Sequence, residues 1–244
     1  MTPHIYFWGP QIESFKENNR RVKVLYEDTM IDKDELWNKY TKEVEKDLKQ
    51  VQFGPDDDPS DLYDIYTDRM TDISDLFHHA IAIHKYQYLT LLCQTWENEL
   101  VSFVNKEMNN YDLLNKPLSY SKVMNDILLK NMEEKKVKEL SKIRELRLLV
   151  NVIKHGEGNS AIKLRKRRPD FFKYRTTEPL DKINDRLVTW NSVLLDSDAL
   201  NVDEKEFYSY YSAINEFWDS MPTRVFLDEK TPPSYEEKNY RINF

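Results

Sequence analysis

Five polar side chains recur along one side of a predicted helix that ends near residue 155, and their types suit acid–base chemistry on a charged substrate. We call them the polar stripe: Arg144, Arg147, Asn151, Lys154 and His155. At about 100° per residue, positions 147, 151 and 155 share one helical face. Imidazole exchanges a proton near neutral pH, whereas arginine and lysine carry fixed positive charge. This combination favours a phosphodiester substrate.

Apolar residues occupy most of the remaining circumference of this helix, with Glu145 as the exception. They are Leu146, Leu148, Leu149, Val150, Val152 and Ile153. A helix that is apolar nearly all round is buried, and unpaired charge is costly to bury. The polar stripe must therefore face a cleft, a partner or other charged groups. The alternative is a set of surface groups or an internal ion network with no catalytic role.

The segment from Arg147 to Gly156 resembles the signature helix of HEPN domains, the helical proteins named for higher eukaryotes and prokaryotes nucleotide binding. The family motif is an arginine, usually followed by a polar residue, and a histidine a few positions later. Here Asn151 supplies the polar residue and His155 the histidine, but seven residues separate Arg147 from His155. The segment from Tyr86 to Leu100 likewise resembles the helix that precedes the signature helix.

The resemblance implies an all-α fold, a HEPN-like bundle of long antiparallel helices with a helical C-terminal extension. It also implies a metal-independent endoribonuclease of toxin–antitoxin, abortive-infection or other antiviral defence systems. Such enzymes pair as homodimers and bring two signature helices together at the active site. The partners implied are an RNA substrate, a second copy of the chain and an antitoxin or defence-system protein. The alternative that the resemblance leaves open is a non-catalytic RNA- or protein-binding module.

The stripe has the parts needed to cleave RNA without a metal ion. His155 suits proton transfer, because its ordinary pKa lies near neutrality. Arg147 and Lys154 would stabilise charge on the phosphate, and Asn151 would orient the imidazole or contact the phosphate. One histidine is fewer than the two proton-transfer groups of a fast ribonuclease. A second subunit would supply the other.

Net charge is unevenly distributed along the chain, which carries −7 overall. Residues 135–175 hold 14 lysines and arginines against 4 acids, a local charge of +10 (14 − 4). Such a basic patch is typical of surfaces that contact phosphate backbones. The predicted RNA contacts are Arg144, Lys163, Arg165, Lys166, Arg167 and Arg168. Glu97 and Glu99 are possible ion-pair partners for the cations of the stripe.

Other chemistries are disfavoured by residue type and spacing. His79 and His84 lie five positions apart, so they do not share a helical face as zinc-binding pairs do. The only cysteine, Cys93, lies in an apolar run, where a thiol is inert. No glycine-rich phosphate loop is present, and we expect no metal or other cofactor. A single cysteine suits a reducing cytoplasm, and the sequence predicts no signal peptide and no membrane-spanning segment.

The pattern of breaks predicts three consecutive segments. Residues 1–58 would form an irregular aromatic stretch, up to about Asn19, and a first helix from Leu36 to Val51. Residues 59–158 would form the HEPN-like core: one long helix or two over 61–108, a helix over 118–132 and the signature helix over 133–155. Residues 159–244 would add a basic helix over 161–168, an irregular stretch over 170–200, an aromatic helix over 207–221 and an extended tail.

Overall fold

The computed structural model describes residues 2–51, 58–132, 134–172, 187, 195 and 199–227, and these residues are mostly helical. The protein therefore belongs to the all-α class. The helices are α1 (Gly9–Asp28), α2 (Lys33–Leu48), α3 (Pro59–Asn109), α4 (Leu129–Asn131), α5 (Leu140–His155), α6 (Asn159–Arg167) and α7 (Glu204–Asp219). Strands β1 (His4–Tyr6) and β2 (Arg224–Phe226) pair antiparallel, with Ile5 opposite Val225.

The longest element is α3, which has 51 residues and continues through His78 and His79 without a break. The sequence left open whether this stretch is one helix or two, and the structure has one. Its start is fixed by Asp58, whose carboxylate accepts a hydrogen bond of 2.9 Å from the backbone N–H of Ser60. Pro59 follows as the first residue of the helix, where its missing N–H leaves no bond unmade.

The N-terminal stretch differs from the prediction of irregular structure up to about Asn19, because it contains β1 and the whole first half of α1. The helix buries Phe15, Val22 and Tyr26. These positions are spaced seven and four apart, which places them on one face. Pro10 lies in the first turn of the helix, where proline is tolerated.

Helix α5 begins at Leu140, whereas the sequence predicted its start near Glu133. Glu139 adopts a φ of 53°, in the left-handed region, and so interrupts any helix that runs into it. Residues Glu134–Lys136 form a separate 3₁₀ turn before that point. The predicted helix over 118–132 is likewise shorter: a π-helical segment over Lys122–Leu128 leads into α4.

The predictions for α2, α6 and α7 are confirmed to within a few residues. Leu187, Leu195, Ala199 and Leu200 are the only described residues of the stretch from 173 to 200. Most of the irregular stretch predicted over 170–200, in which the sequence also allowed a strand or short helix at 190–195, therefore lies outside the described residues. The same is true of the tail beyond 227.

The chain divides into two compact units, and the boundaries fall inside α1, α3, α5 and α7. The first unit comprises Met1–Val22, Leu92–Ile143 and Tyr210–Phe244, and the second comprises Lys23–Leu91 and Arg144–Ser209. Each unit combines stretches from more than one of the three segments predicted from the sequence. The division of the chain into those three segments stays a prediction.

Aromatic packing dominates the interior of the first unit. The ring centroid of Phe15 lies 4.5 Å from that of Trp218, and the Trp96 and Phe217 centroids lie 5.4 Å apart, edge to face. Trp96, Phe217 and Trp218 are completely buried. In the second unit, Tyr26 packs against Phe207 at 4.1 Å. The aromatic stripe predicted on α7 thus serves core packing.

Candidate functional site

The polar stripe lies on the exposed side of α5, and all five of its residues belong to the second unit. Arg144, Lys154 and His155 are exposed, whereas Arg147 and Asn151 are half-buried. The other side of the helix is the core side, where Leu146, Leu149, Val150 and Val152 are buried. Four of the six apolar positions named from the sequence are thus buried, whereas Leu148 and Ile153 are only half-buried.

A short glycine-containing turn ends α5 beside His155. Gly156 has a φ of 65°, and its N–H donates a 2.8 Å hydrogen bond to the carbonyl of Val152. Glycine adopts this left-handed conformation at little cost, which is why it so often closes a helix. Gly158 follows with a φ of 155°, and α6 starts at Asn159. Along the chain, this turn joins the end of the stripe directly to the start of the basic helix α6.

Arg165 was predicted to contact RNA, but the structure buries it. Only 4% of the residue is exposed. Its guanidinium donates a 2.8 Å hydrogen bond and a second, shorter one to the two carboxylate oxygens of Glu157, and it lies 4.7 Å over the ring of Phe172. A buried cation needs such a partner. Arg165 therefore holds α6 in place and is not available to a ligand on the surface.

Two more arginines of the basic helix are held by Glu145, the one acid on the apolar side of α5. This carboxylate is 5% exposed and accepts hydrogen bonds of 3.0 Å from both Arg167 Nε and Arg168 Nη1. Arg168 also donates to Glu206 at 2.6 Å and to Asp170 at 2.8 Å. The basic helix is thus tied to α5 and α7 by buried or half-buried ion pairs.

The network around Arg168 keeps its guanidinium charged. Burial disfavours the charged form, but the hydrogen bonds that Arg168 donates to Asp170, Glu206 and Glu145 outweigh it and raise the pKa of Arg168 above its ordinary value. The guanidinium also lies 3.7 Å over the ring of Phe171. With four charged or aromatic neighbours, Arg168 is a structural residue. Its predicted contact with RNA is not supported by this placement.

Acids of the same stretch hold these arginines, a pairing that a count of charges does not predict. Residues 135–175 contain four acids, and Glu145, Glu157 and Asp170 each bind an arginine of the same stretch. One signal was available: Glu145 interrupts an otherwise apolar helix side, and a carboxylate there requires a cation. The exposed predicted contacts are then Arg144, Lys163 and Lys166, with Arg167 exposed but bound to Glu145.

Glu99, one of the two glutamates predicted as possible partners of the stripe, bonds to a different side chain. Its Oε1 accepts a 2.8 Å hydrogen bond from the side-chain amide of Asn18, within the first unit. Burial raises the pKa of this carboxyl to about 7, and the hydrogen bond from Asn18 opposes the rise only in part.

Among the described residues, no three or more His, Cys, Asp or Glu side chains come together in a way that would hold a metal ion. Cys93 is buried, as its apolar surroundings predicted. Across the part of the chain that the structure describes, no helix combines the length and the apolar character that a membrane span requires.

Comparisons with protein-family models, with curated proteins and with solved structures give no match. The resemblance of α5 to the HEPN signature helix therefore stays a prediction.

Proposed function

We propose that this protein is a HEPN-like, metal-independent endoribonuclease that acts from the polar stripe of α5. His155 transfers protons, Arg147 and Lys154 stabilise charge on the scissile phosphate, and Asn151 orients the imidazole or the phosphate. Arg144, Lys163 and Lys166 contact the RNA backbone. The protein works as a cytoplasmic homodimer with its active site at the seam, as a toxin or antiphage effector held in check by an antitoxin or other defence-system partner.

One observation carries this proposal: His155 and Lys154 of the stripe stay at the surface, whereas the neighbouring Arg165 and Arg168 form ion pairs with carboxylates. Exposed Lys154 and His155 end α5, and exposed Lys163 and Lys166 follow on α6. An imidazole beside lysines at the surface suits binding and proton transfer at a phosphodiester. A purely structural cluster would instead pair these side chains as it pairs Arg165 and Arg168.

The reaction uses only the RNA itself and two proton-transfer groups. The 2′-oxygen attacks the phosphorus and loses its proton to a base, the bond from phosphorus to the 5′-oxygen breaks, and an acid protonates that leaving oxygen. The products are a 2′,3′-cyclic phosphate and a 5′-hydroxyl. His155 of one chain serves as one group, and the second chain supplies the other. The cations stabilise negative charge on the phosphate oxygens.

The test is cleavage of transfer and ribosomal RNA by the purified protein in the presence of a chelator. We expect discrete fragments that end in cyclic phosphate, and a loss of about 10²-fold or more for His155→Ala. His78→Ala is the matched control, because His78 is also an exposed helical histidine but lies far from the stripe in the sequence. Undiminished cleavage by His155→Ala would show that the site is wrongly assigned.

A second candidate is a non-catalytic HEPN-like module that binds RNA or a partner protein. The observation that favours it is the engagement of Arg165, Arg167 and Arg168 by carboxylates, which leaves fewer cations for a transition state. The interval between Arg147 and His155 is also longer than in the family motif. A salt-sensitive complex with RNA, without cleavage by either the wild type or any variant, would support this candidate.

A further inference from the structure

The two-stranded sheet buries one side and exposes the other. Successive residues of a strand point to opposite sides of a sheet, and Ile5 and Val225 are buried on the inner side. The outer side carries two cross-strand pairs, which we call the sheet face: His4 opposite Phe226, and Tyr6 opposite Arg224. All of these residues belong to the first unit.

Large aromatic rings at the sheet face are open to solvent. Tyr6 is 38% exposed and Phe226 57%. Trp8, which follows the buried Phe7 and so continues the alternation of β1, is 55% exposed. Single exposed apolar residues are ordinary, but three aromatic side chains around one small sheet form a patch of the kind that marks a binding surface.

The cross-strand partners of the sheet face contact each other. The ring centroids of His4 and Phe226 lie 5.6 Å apart, and the guanidinium carbon of Arg224 lies 5.4 Å from the centroid of the Tyr6 ring. Both pairs occupy positions between the hydrogen-bonded pairs of the ladder, where facing side chains approach most closely. The result is two rows of side chains, about 7 Å apart along the strands.

Helix α3 and the segment after it hold β1 in place. The Tyr6 N–H donates a 3.1 Å hydrogen bond to Oε2 of Glu107, and the hydroxyl oxygen of Tyr111 lies 3.2 Å from Nδ1 of His4. The ring centroids of His4 and Tyr111 are 5.9 Å apart. The rings are thus positioned before any ligand arrives, so binding has few side chains to order.

Arg224 gives the sheet face an exposed positive charge. Arg165 and Arg168 bind glutamates, whereas Arg224 lies over an aromatic ring and forms no ion pair in the part of the chain that the structure describes. An exposed guanidinium can bind a phosphate or stack on a base through its flat surface.

This combination of rings and a cation suits unpaired nucleobases. Exposed aromatic rings on a β-sheet bind single strands because every base has a face that stacks, whereas the bases of a duplex are already stacked on each other. The guanidinium adds attraction for the phosphates. An apolar protein partner would instead bury Arg224 without a counter-charge, which is costly.

We propose that the sheet face is a second RNA-binding site, which takes unpaired bases of a single strand. Bases stack on Phe226 and on Tyr6, one at each row, while Arg224 binds a phosphate of the same strand. Trp8 lies next along the chain, where a further base stacks. The choice of RNA as the ligand rests on the proposed function, but the sheet face shares no residue with the polar stripe.

The test is binding of a fluorescently labelled, 2′-O-methylated single strand of about 12 nucleotides, without self-complementarity, to the full-length protein. The methyl group blocks the attacking 2′-oxygen, so the wild type cannot cleave the probe. We expect Phe226→Ala and Tyr6→Ala each to weaken binding by about tenfold, the loss of one stacked base. Phe226→Trp retains a ring and should bind as the wild type does. Tyr63→Ala, which removes a more exposed ring in the second unit, is the control and should do the same.

Salt dependence separates this site from the basic helix. Phe226→Ala should lower the affinity by the same factor at about 50 mM and about 500 mM NaCl, because stacking involves no net charge. Lys163→Ala with Lys166→Ala should weaken binding mainly at low salt, where phosphate contacts are strongest. Annealing the probe to its complement should remove the difference between the wild type and Phe226→Ala, since the bases are then paired.

The outcomes distinguish this site from the proposed active site. A wild type that does not bind the probe, or Phe226→Ala and Tyr6→Ala variants that bind it equally well, would overturn the proposal even if the polar stripe cleaves RNA. Weaker binding by both variants would support it even if the wild type cleaves no RNA. If Phe226→Ala turns an oligomer into a monomer in sedimentation and leaves the affinity for the probe unchanged, the sheet face is a protein contact and the proposal is wrong.

Discussion

Glu99 is the side chain whose replacement we expect to stabilise the protein. Its Oε1 accepts a hydrogen bond from Asn18, but its Oε2 is buried without a hydrogen-bond partner among the described residues. Burial raises the pKa of this carboxyl from an ordinary 4.5 to about 7. At neutral pH the folded protein therefore holds an unfavourable charge or an unfavourable proton that the unfolded chain does not.

The sign of the pH dependence follows from this raised pKa. Below about pH 4.5 the carboxyl is protonated in both the folded and the unfolded chain, so its titration does not affect stability. Between pH 4.5 and about 7 the unfolded chain ionises first, and the free energy of unfolding falls. Above about pH 7 the carboxyl is ionised in both the folded and the unfolded chain, and its titration lowers the free energy of unfolding no further. The difference between the two pKa values corresponds to a loss of about 3 kcal/mol in the free energy of unfolding at full burial. The loss is about 1–2 kcal/mol once partial solvent exposure is allowed for.

The assay is urea unfolding at pH 5 and pH 8, followed by tryptophan fluorescence, for the wild type and Glu99→Gln. The substitution keeps the oxygen that Asn18 binds and removes the ionisation. We expect Glu99→Gln to gain about 1–2 kcal/mol relative to the wild type on going from pH 5 to pH 8. Glu43→Gln, which removes an exposed carboxylate of α2, should show no such gain. Equal pH dependence of the wild type and Glu99→Gln would refute the reasoning.

Two further predictions concern the turn between α5 and α6. Glu157→Gln leaves the buried guanidinium of Arg165 without its carboxylate and should lower the free energy of unfolding by about 3 kcal/mol, whereas Asp203→Asn, at an exposed ion pair, should leave it unchanged. Gly156→Ala places a side chain at a φ of 65° and should lower it by about 1 kcal/mol. Gly9→Ala is its control, because a Cβ there meets nothing within 4 Å. Urea unfolding measures all four, and a loss for Gly156→Ala no larger than that for Gly9→Ala would contradict the conformational argument.

The sequence alone determined those features that depend on neighbours along the chain. The absence of glycine and proline from 61 to 108 predicted helix over this stretch, as one helix or two, and α3 runs through all of it. The spacing of Arg147, Asn151 and His155 predicted a polar side of α5, which the structure has. Gly156 predicted the point at which α5 ends. Helical periodicity and helix ends are local properties, set by rotation per residue and by backbone conformation.

Tertiary structure decided which charges remain at the surface. A count of cations in 135–175 treated Arg165, Lys166, Arg167 and Arg168 alike, but folding buries the first and leaves the second exposed. The reason is that an ion pair depends on distance in space: Glu206 reaches Arg168 from 38 positions away.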